Sequence, residues 1–137
     1  MISVFDIAGW FVSKEAMNHQ KLQCLVYLSY AWFYALNHSD LFETEGFEAY
    51  PVLPCEMQLF QRFHDYGNKK IRFIPFQQMD NEITEFLESV YDTYALASAE
   101  ALCGYLRMSM PYQKARRTQC KIQREDMKEF YESQQQH

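Results

Sequence analysis

The chain has 137 residues, of which 48% are hydrophobic and 17% aromatic, and its formal net charge at pH 7 is −5. This length fits one domain of ordinary size, and the composition supplies enough apolar side chains for a sizeable core. The negative charge argues against a general affinity for nucleic acids or acidic membranes, although it leaves local patches open.

Two helices are predicted at the amino-terminal end. Apolar residues recur at helical spacing from Val4 to Phe11, which predicts a helix over residues 4–13. A second helix is predicted from an N-cap at Asn18 to about Leu36. Its last 13 residues are apolar or aromatic apart from one serine, but they span only about 20 Å. We therefore expect a buried core helix and no membrane span.

The middle of the chain predicts a small β element and a third helix. Residues 47–50 alternate weakly and are predicted to form a short strand. Pro51 and Pro54 exclude a regular helix before residue 54, and a proline in a first helical turn predicts a helix from there to residues 66–67. Residues 71–74 are either a short strand or a loop that crosses the core.

The clearest helical pattern follows Asp80 and Asn81, which we predict to cap it. Apolar side chains recur at steps that place them on one face: Ile83, Phe86, Leu87, Val90, Tyr91 and Tyr94. This spacing predicts an amphipathic helix that packs on the core.

Three further helices complete the prediction. Ser98 is predicted to cap a helix that runs through Met108, and Pro111 to open a short helix that ends near Arg117. Residues 124–133 form the terminal helix. The predicted fold class is mainly α, a compact single domain of six to seven helices with a small β element near 47–50 and, in one of the two alternatives given above, a second at 71–74. The domain covers residues 1–134, and residues 135–137 form a frayed tail.

The cysteines indicate a reducing compartment. The chain has four cysteines, Cys24, Cys55, Cys103 and Cys120. They lack the C-x-x-C spacing and the nearby histidines of a metal site. We expect four reduced thiols and no bound metal. The first residues, MISVFDIAGWF, lack the basic start and cleavage site of a signal peptide, which favours a cytoplasmic protein.

Charge is arranged in two blocks. Residues 80–100 hold six acids and no Lys or Arg, and residues 101–124 hold six bases and no acid. The blocks either pair internally, are simply solvated, or present opposite signs to a partner. The basic run at residues 114–124 has the charge to contact phosphates. No helix-turn-helix pattern accompanies it, so a solvated turn is favoured over direct binding of nucleic acid.

No catalytic motif is apparent, because the chain lacks G-x-S-x-G, H-E-x-x-H and a phosphate-binding glycine loop. Cys55 and His64 are the one nucleophile–base pair that we considered. Nine residues on one helix would separate them by about 13 Å, too far for the hydrogen bond that such a pair requires. We therefore predict a protein that is not an enzyme and needs no cofactor.

Lys21 stands at the start of the apolar second helix, beside Gln23. A charge in that position needs a carboxylate partner or a route to solvent. We expect either an internal salt bridge, with the side chain reaching the surface, or a contact with a partner.

Several motifs occur in an order that identifies a family. They are V-F-D-I-A-x-x-F from Val4, M-x-x-x-K-L-Q-x-L-x-Y-x-x-Y-A-W from Met17, F-E-A-Y-P-V-x-P from Phe47, F-L-x-x-V-Y-x-x-Y from Phe86, P-Y-x-x-A-R from Pro111 and I-x-x-E-D-M-x-x-F-Y from Ile122. This order resembles the Panacea domain, the SocA-like antitoxin family with many phage-associated members, over nearly the whole chain. The block ending at Trp32 is its most specific part.

The resemblance implies a compact, mainly helical domain that neutralises a toxin encoded beside it by direct binding, without a cofactor. One type of member instead delivers its toxin to a protease. The family positions carried over are Lys21, Leu22, Gln23, Tyr27, Trp32, Glu48, Ala49, Tyr50, Pro51, Val52 and Pro54. Most of these are expected to be architectural.

Three positions depart from the family pattern. Tyr50 runs directly into Pro51, where the family has a longer turn with a glycine, and Tyr112 follows Pro111 where the family has tryptophan. Gln123 replaces the usual Ser or Thr before the last helix. The first two changes are compatible with a surface that meets another target.

The expected partner is a protein, with no membrane involved and with the oligomeric state left open. The candidate contact residues are those we expect to be exposed: Tyr50, Phe60, Tyr66, Tyr112, Arg116 and Arg117. The alternative is a phage-encoded inhibitor of a host factor, such as a defence nuclease. Acidic segments 40–56 and 80–100 would then compete for a nucleic-acid-binding groove.

Overall fold

A computed structural model describes residues 2–118 and 121–135. Within them the elements are α1 (Val4–Lys14), α2 (His19–Asn37), β1 (Phe47–Ala49), β2 (Pro54–Glu56), α3 (Met57–Phe63), α4 (Asn81–Tyr94), α5 (Ala99–Arg107), α6 (Met110–Thr118), β3 (Lys121–Ile122) and α7 (Arg124–Gln135). A 3-10 turn, His64–Tyr66, extends α3. The mainly α fold class is confirmed. Gln135 of the predicted tail ends α7, and residues 136–137, like Cys120, lie outside the described residues.

Side-chain caps fix the starts of the helices. Asn18 and Ser98 each accept a hydrogen bond from a backbone amide three residues on, as their predicted N-cap roles require. Ser3 and Asp6 form a reciprocal capping box at α1. Asp80 occupies the N-cap position of α4, but its side chain makes no capping hydrogen bond.

Helix α2 lies at the centre of the fold. It contacts α1, α3, α4, α5, α7 and β2, and residues 22–31 are buried without interruption. A helix that is apolar on all sides needs such neighbours on all sides. None of the described helices combines the length and apolar character of a membrane span.

A three-stranded antiparallel sheet packs on α2 in the order β2-β1-β3. Phe47 of the central strand pairs with Glu56 on one side and Ile122 on the other. Its fully buried ring lies 5.1 Å from the ring of Tyr27 and 5.5 Å from that of Tyr30. The strand predicted near residues 47–50 is therefore confirmed.

The third helix was predicted to begin too early. Pro54 is the first residue of β2, and α3 begins only at Met57. Proline fits both a first helical turn and the first position of an edge strand, so its presence alone does not separate the two. Residues 71–74 form no strand, because Ile71 makes only an isolated bridge to Met17.

Residues 69–79, which we call the strap, contain no helix and cross α1. Gly9 permits the crossing, because a Cβ atom at this position would lie 2.6 Å from the carbonyl oxygen of Ile74. Ile71 and Ile74 are buried and anchor the strap to the core. The glycine that costs α1 about 1 kcal/mol relative to alanine is thus required by the tertiary structure.

Candidate protein-binding groove

The turn between β1 and β2, residues 50–53, is anchored to α5 and α6. The hydroxyl of Tyr112 donates a hydrogen bond to the carbonyl oxygen of Tyr50. Arg107 donates from Nη1 to the carbonyl oxygen of Val52 over 2.8 Å. A charged donor makes a stronger bond than a neutral one, so the two helices fix the main chain of this turn.

The basic run is also bound to the chain itself. Its cations contact two carbonyl oxygens and two carboxylates: Arg116 to Ala49, Lys121 to Glu45, Lys114 to Asp126 and Arg124 to Asp40. Internal pairing therefore accounts for these four side chains. Their carboxylate partners lie outside the acidic block 80–100, and no ion pair joins the two blocks within the described residues.

A groove of about 310 Å³ lies beside the 50–53 turn. Phe60 is the centre of its aromatic lining, because its ring lies 5.2 Å from that of Tyr50 and 6.0 Å from that of His19. The ring of His64 stacks on Phe60 at 4.8 Å and 10°. We call this cavity the aromatic groove; its further lining residues are Gln20, Pro51, Val52, Leu53, Cys55, Gly67 and Asn68. Its size suits one or two side chains of a partner.

A buried polar network links His19, which lines the groove, to Gln23 and Glu56. The amide oxygen of Gln23 accepts from the backbone nitrogen of Glu56 at 2.8 Å, and its amide nitrogen donates to the carbonyl oxygen of Glu56 at 3.1 Å. These two bonds fix which end of the amide is which. The second amide proton then points to Nε2 of His19, 3.0 Å away, so His19 accepts there and carries its proton on Nδ1.

His19 is held neutral by its surroundings. Burial, and to a smaller extent the charge of His64, lower the pKa of His19 from 6.5 to about 4. Protonation would also turn the acceptor that faces Gln23 into a donor. The imidazole of His19 is therefore a structural acceptor at neutral pH.

Glu56 connects the sheet to α3. One carboxylate oxygen accepts from the backbone nitrogen of Leu59 at 3.0 Å, which caps α3. The other accepts from the hydroxyl of Thr44 at 2.8 Å. The side chain is 1% exposed, so these bonds compensate for its loss of hydration.

The three cysteines among the described residues are buried. Burial raises the pKa of Cys55 to about 12, which leaves it largely protonated at neutral pH and a poor nucleophile. Cys55 and His64 both line the aromatic groove but do not share a helix, so the separation calculated from the sequence rested on a wrong premise. Cys24 and Cys103 place their sulfur atoms 3.6 Å apart in the core. In the described part of the chain no cluster of metal-ligating side chains is present.

The candidate contact residues fall into four environments. Tyr50 and Phe60 line the groove. Tyr112 was predicted to be exposed but is only 4% exposed. Its ring packs in the core, while its hydroxyl bonds the carbonyl oxygen of Tyr50 in the turn. Arg116 is exposed and donates a hydrogen bond to the carbonyl oxygen of Ala49, the last residue of β1. The other two lie outside the groove lining: Tyr66, 41% exposed against Phe63, and Arg117, which is exposed on α6.

The family positions divide into core and groove. Leu22 and Tyr27 are fully buried in α2. Lys21 donates a hydrogen bond to the carbonyl oxygen of Ala95 at 2.6 Å and lies 3.5 Å from Glu15, which is the internal one of the two alternatives that we considered. The remaining positions take three roles: Trp32 bonds the hydroxyl of Tyr94, Glu48, Ala49 and Pro54 form the sheet, and Gln23, Tyr50, Pro51 and Val52 build or line the groove.

The sequence analysis missed His19, Arg107 and Glu56, and it named Gln23 only as a family position without predicting its role. His19 and Gln23 are four residues apart on a helix, which places them on one face, and this spacing was the available signal. Arg107 and Glu56 act through contacts distant in sequence, for which the chain offers no local pattern.

No family model, no curated protein and no solved structure matches this chain.

Proposed function

We propose that the chain is an interaction protein of antitoxin type, which acts in the cytoplasm without a cofactor and neutralises a toxin encoded beside it by direct binding. The observation that carries the proposal is the aromatic groove. Tyr50, Pro51 and Val52 line it, and they belong to the F-E-A-Y-P-V segment, one of the motifs that carry the Panacea resemblance. The chain holds this segment with side chains from α5 and α6.

Occlusion is the mechanism that such a surface supports. A stable protein interface buries about 1,600 Å² in total, far more than the groove alone provides. The groove would therefore receive one anchoring side chain, while the exposed turn and the rim around it supply the remaining contact. The raised pKa of Cys55 and the neutral His19 favour binding over nucleophilic chemistry at this place.

The test is a growth-rescue assay. The open reading frame beside this gene is induced with and without this chain; we expect growth arrest and its reversal. Val52→Asp, which places a charge on a side chain 46% exposed in the groove, is expected to abolish rescue. Leu96→Asp is the matched control, because Leu96 is fully exposed and lies outside the groove. A harmless neighbour, or equal rescue by both variants, would contradict the proposal.

A second candidate function is supported by the solvent face of α4. This face exposes the carboxylates of Glu82, Glu85 and Asp92, and α4 contains no Lys or Arg. Such a face could compete with nucleic acid for a basic groove on a host factor. A stable one-to-one complex with a basic host protein, lost in the double variant Glu82→Lys and Glu85→Lys, would favour this function over the first.

A further inference from the structure

The strap presents apolar and basic side chains together. Phe73 is 76% exposed and Phe76 is 37% exposed, although both belong to residue types that usually pack inside. Lys69, Lys70 and Arg72 are exposed beside them. The strap is part of the connection 67–80 between the 3-10 turn and α4, and a connection of that length without regular structure is uncommon in a compact domain unless it has a function.

The charge of this region opposes that of the whole chain. Residues 62–78 contain four Lys or Arg and one acid, Asp65, in a protein with a net charge of −5. The guanidinium of Arg62 lies over the ring of Phe5 at 4.5 Å. None of the three strap cations takes part in an ion pair within the described residues. Their charge is therefore available to a partner.

The strap is held firmly along its inner side. Ile71 exchanges two backbone hydrogen bonds with Met17, at 2.7 and 3.3 Å. Farther along, the backbone nitrogen of Gln77 donates to Asp6 at 3.0 Å. Between these anchors the backbone of residues 72–76 makes no hydrogen bond to the described residues. Fixed main-chain groups of this kind can pair with an extended peptide at a small entropic cost.

We propose that the strap is a docking surface for an extended acidic segment of a partner protein. Carboxylates of that segment would face Lys69, Lys70 and Arg72, and one apolar side chain would pack on Phe73. Complementary charge of this kind guides association and sets the register of the bound segment. The surface lies outside the lining of the aromatic groove, and this inference holds whether or not the partner is a toxin.

The neighbouring charges favour a peptide over a nucleic acid. Exposed Asp80 follows the strap, and helix α4 then exposes Glu82 and Glu85 in its first two turns. A nucleic acid carries phosphate charge continuously along its length, so a strand that leaves the strap in this direction would meet those carboxylates. A short acidic segment ends within the basic stretch.

The experiment is a selection of displayed random dodecapeptides on the folded chain, followed by fluorescence anisotropy with the enriched peptides. We expect enrichment of Asp and Glu around one large apolar residue, and binding that weakens as salt is added. Phe73→Ala is expected to weaken binding about tenfold or more. Met108→Ala is the matched control. Met108 is also 76% exposed, but it follows α5 and does not belong to the strap.

Three results would overturn the inference. Enriched peptides without acidic residues would contradict the recognition of carboxylates by the strap cations. Equal binding by the Phe73→Ala and wild-type chains, with circular dichroism showing both folded, would place the peptide elsewhere. An oligothymidylate of similar length that displaces the peptide and binds more tightly than it, through Phe73, would reassign the strap to single-stranded nucleic acid.

Discussion

Gln23 of α2 pairs with the backbone of Glu56 in β2 through both its amide oxygen and its amide nitrogen, at 2.8 and 3.1 Å. A side chain here takes the place that a neighbouring strand would occupy at the edge of the sheet. Gln23 is fully buried, and the pairing joins the central helix to β2, whose Cys55 lines the groove.

Replacement of Gln23 by leucine is expected to destabilise the fold by about 2–4 kcal/mol. The change leaves both backbone groups of Glu56 buried without a partner, and each unpaired group costs about 1–3 kcal/mol. Urea denaturation gives the free energy of unfolding. Gln113→Leu, at an exposed position on α6, is the control and should change it by less than about 0.5 kcal/mol. Similar losses in both variants would contradict the role of the pairing.

The stability of the fold should depend on pH through His19. Its pKa is about 4 in the folded chain, below the ordinary value of 6.5, so the unfolded chain takes up the proton first as pH falls. The stability that neutral His19 contributes is complete above pH 6.5 and is lost as pH falls from there through about 4. We expect the urea midpoint to fall across this window.

His19→Gln should flatten that dependence, because glutamine can still accept from Gln23 but does not titrate. His38→Asn is the control. His38 is exposed and adopts a left-handed conformation with φ of 56°, which asparagine tolerates. An unchanged pH profile in the His19 variant would assign the dependence to other groups.

Gly9→Ala is expected to destabilise the chain by about 1–3 kcal/mol. In an isolated helix the same change would stabilise by about 1 kcal/mol, but here the new Cβ would lie 2.6 Å from a backbone oxygen of the strap. Gly104→Ala is a matched control, since its Cβ would meet only the side chain of Arg107 at 4.0 Å. The melting temperature should therefore fall for Gly9→Ala and rise for Gly104→Ala. Equal shifts in the two variants would contradict the close approach of the strap to α1.

Two tyrosine-to-phenylalanine changes should have different effects on the free energy of unfolding. Tyr112→Phe removes the hydrogen bond to the carbonyl oxygen of Tyr50 and should cost about 1 kcal/mol. The hydroxyl of Tyr27 is buried and has no hydrogen-bond partner among the described residues. Tyr27→Phe should therefore be neutral or stabilising, since no bond is lost and an unpaired hydroxyl leaves the core. Chemical denaturation of the two single variants tests this.

Local signals predicted much of the helical framework. Asn18 and Ser98 were found from capping chemistry, which acts within four residues of the chain. Pro54 was misassigned because a proline suits two kinds of element, and the choice depends on the pairing with Ala49. β3 was missed because Lys121 and Ile122 pair with β1 across more than seventy residues.

The groove was only partly predictable. Tyr50 and Phe60 were selected as exposed aromatic candidates, and both line it. Tyr112 was selected for the same reason but is buried, since a tyrosine that bonds a distant carbonyl looks like any other in the sequence. The bonds that shape the groove join residues 33 to 62 positions apart, and no periodic pattern records such distances.

Because α2 lies at the centre of the fold, we expect its buried segment to open only when the whole fold opens. Every backbone amide from Leu22 to Ala31 lies in a buried stretch that is shared with α1, α4, α5, α7 and the sheet. Exchange of these amide hydrogens with solvent deuterium therefore requires the whole chain to unfold. Their exchange rates should report the global free energy of unfolding, and they should respond to a partner bound at any surface of the protein.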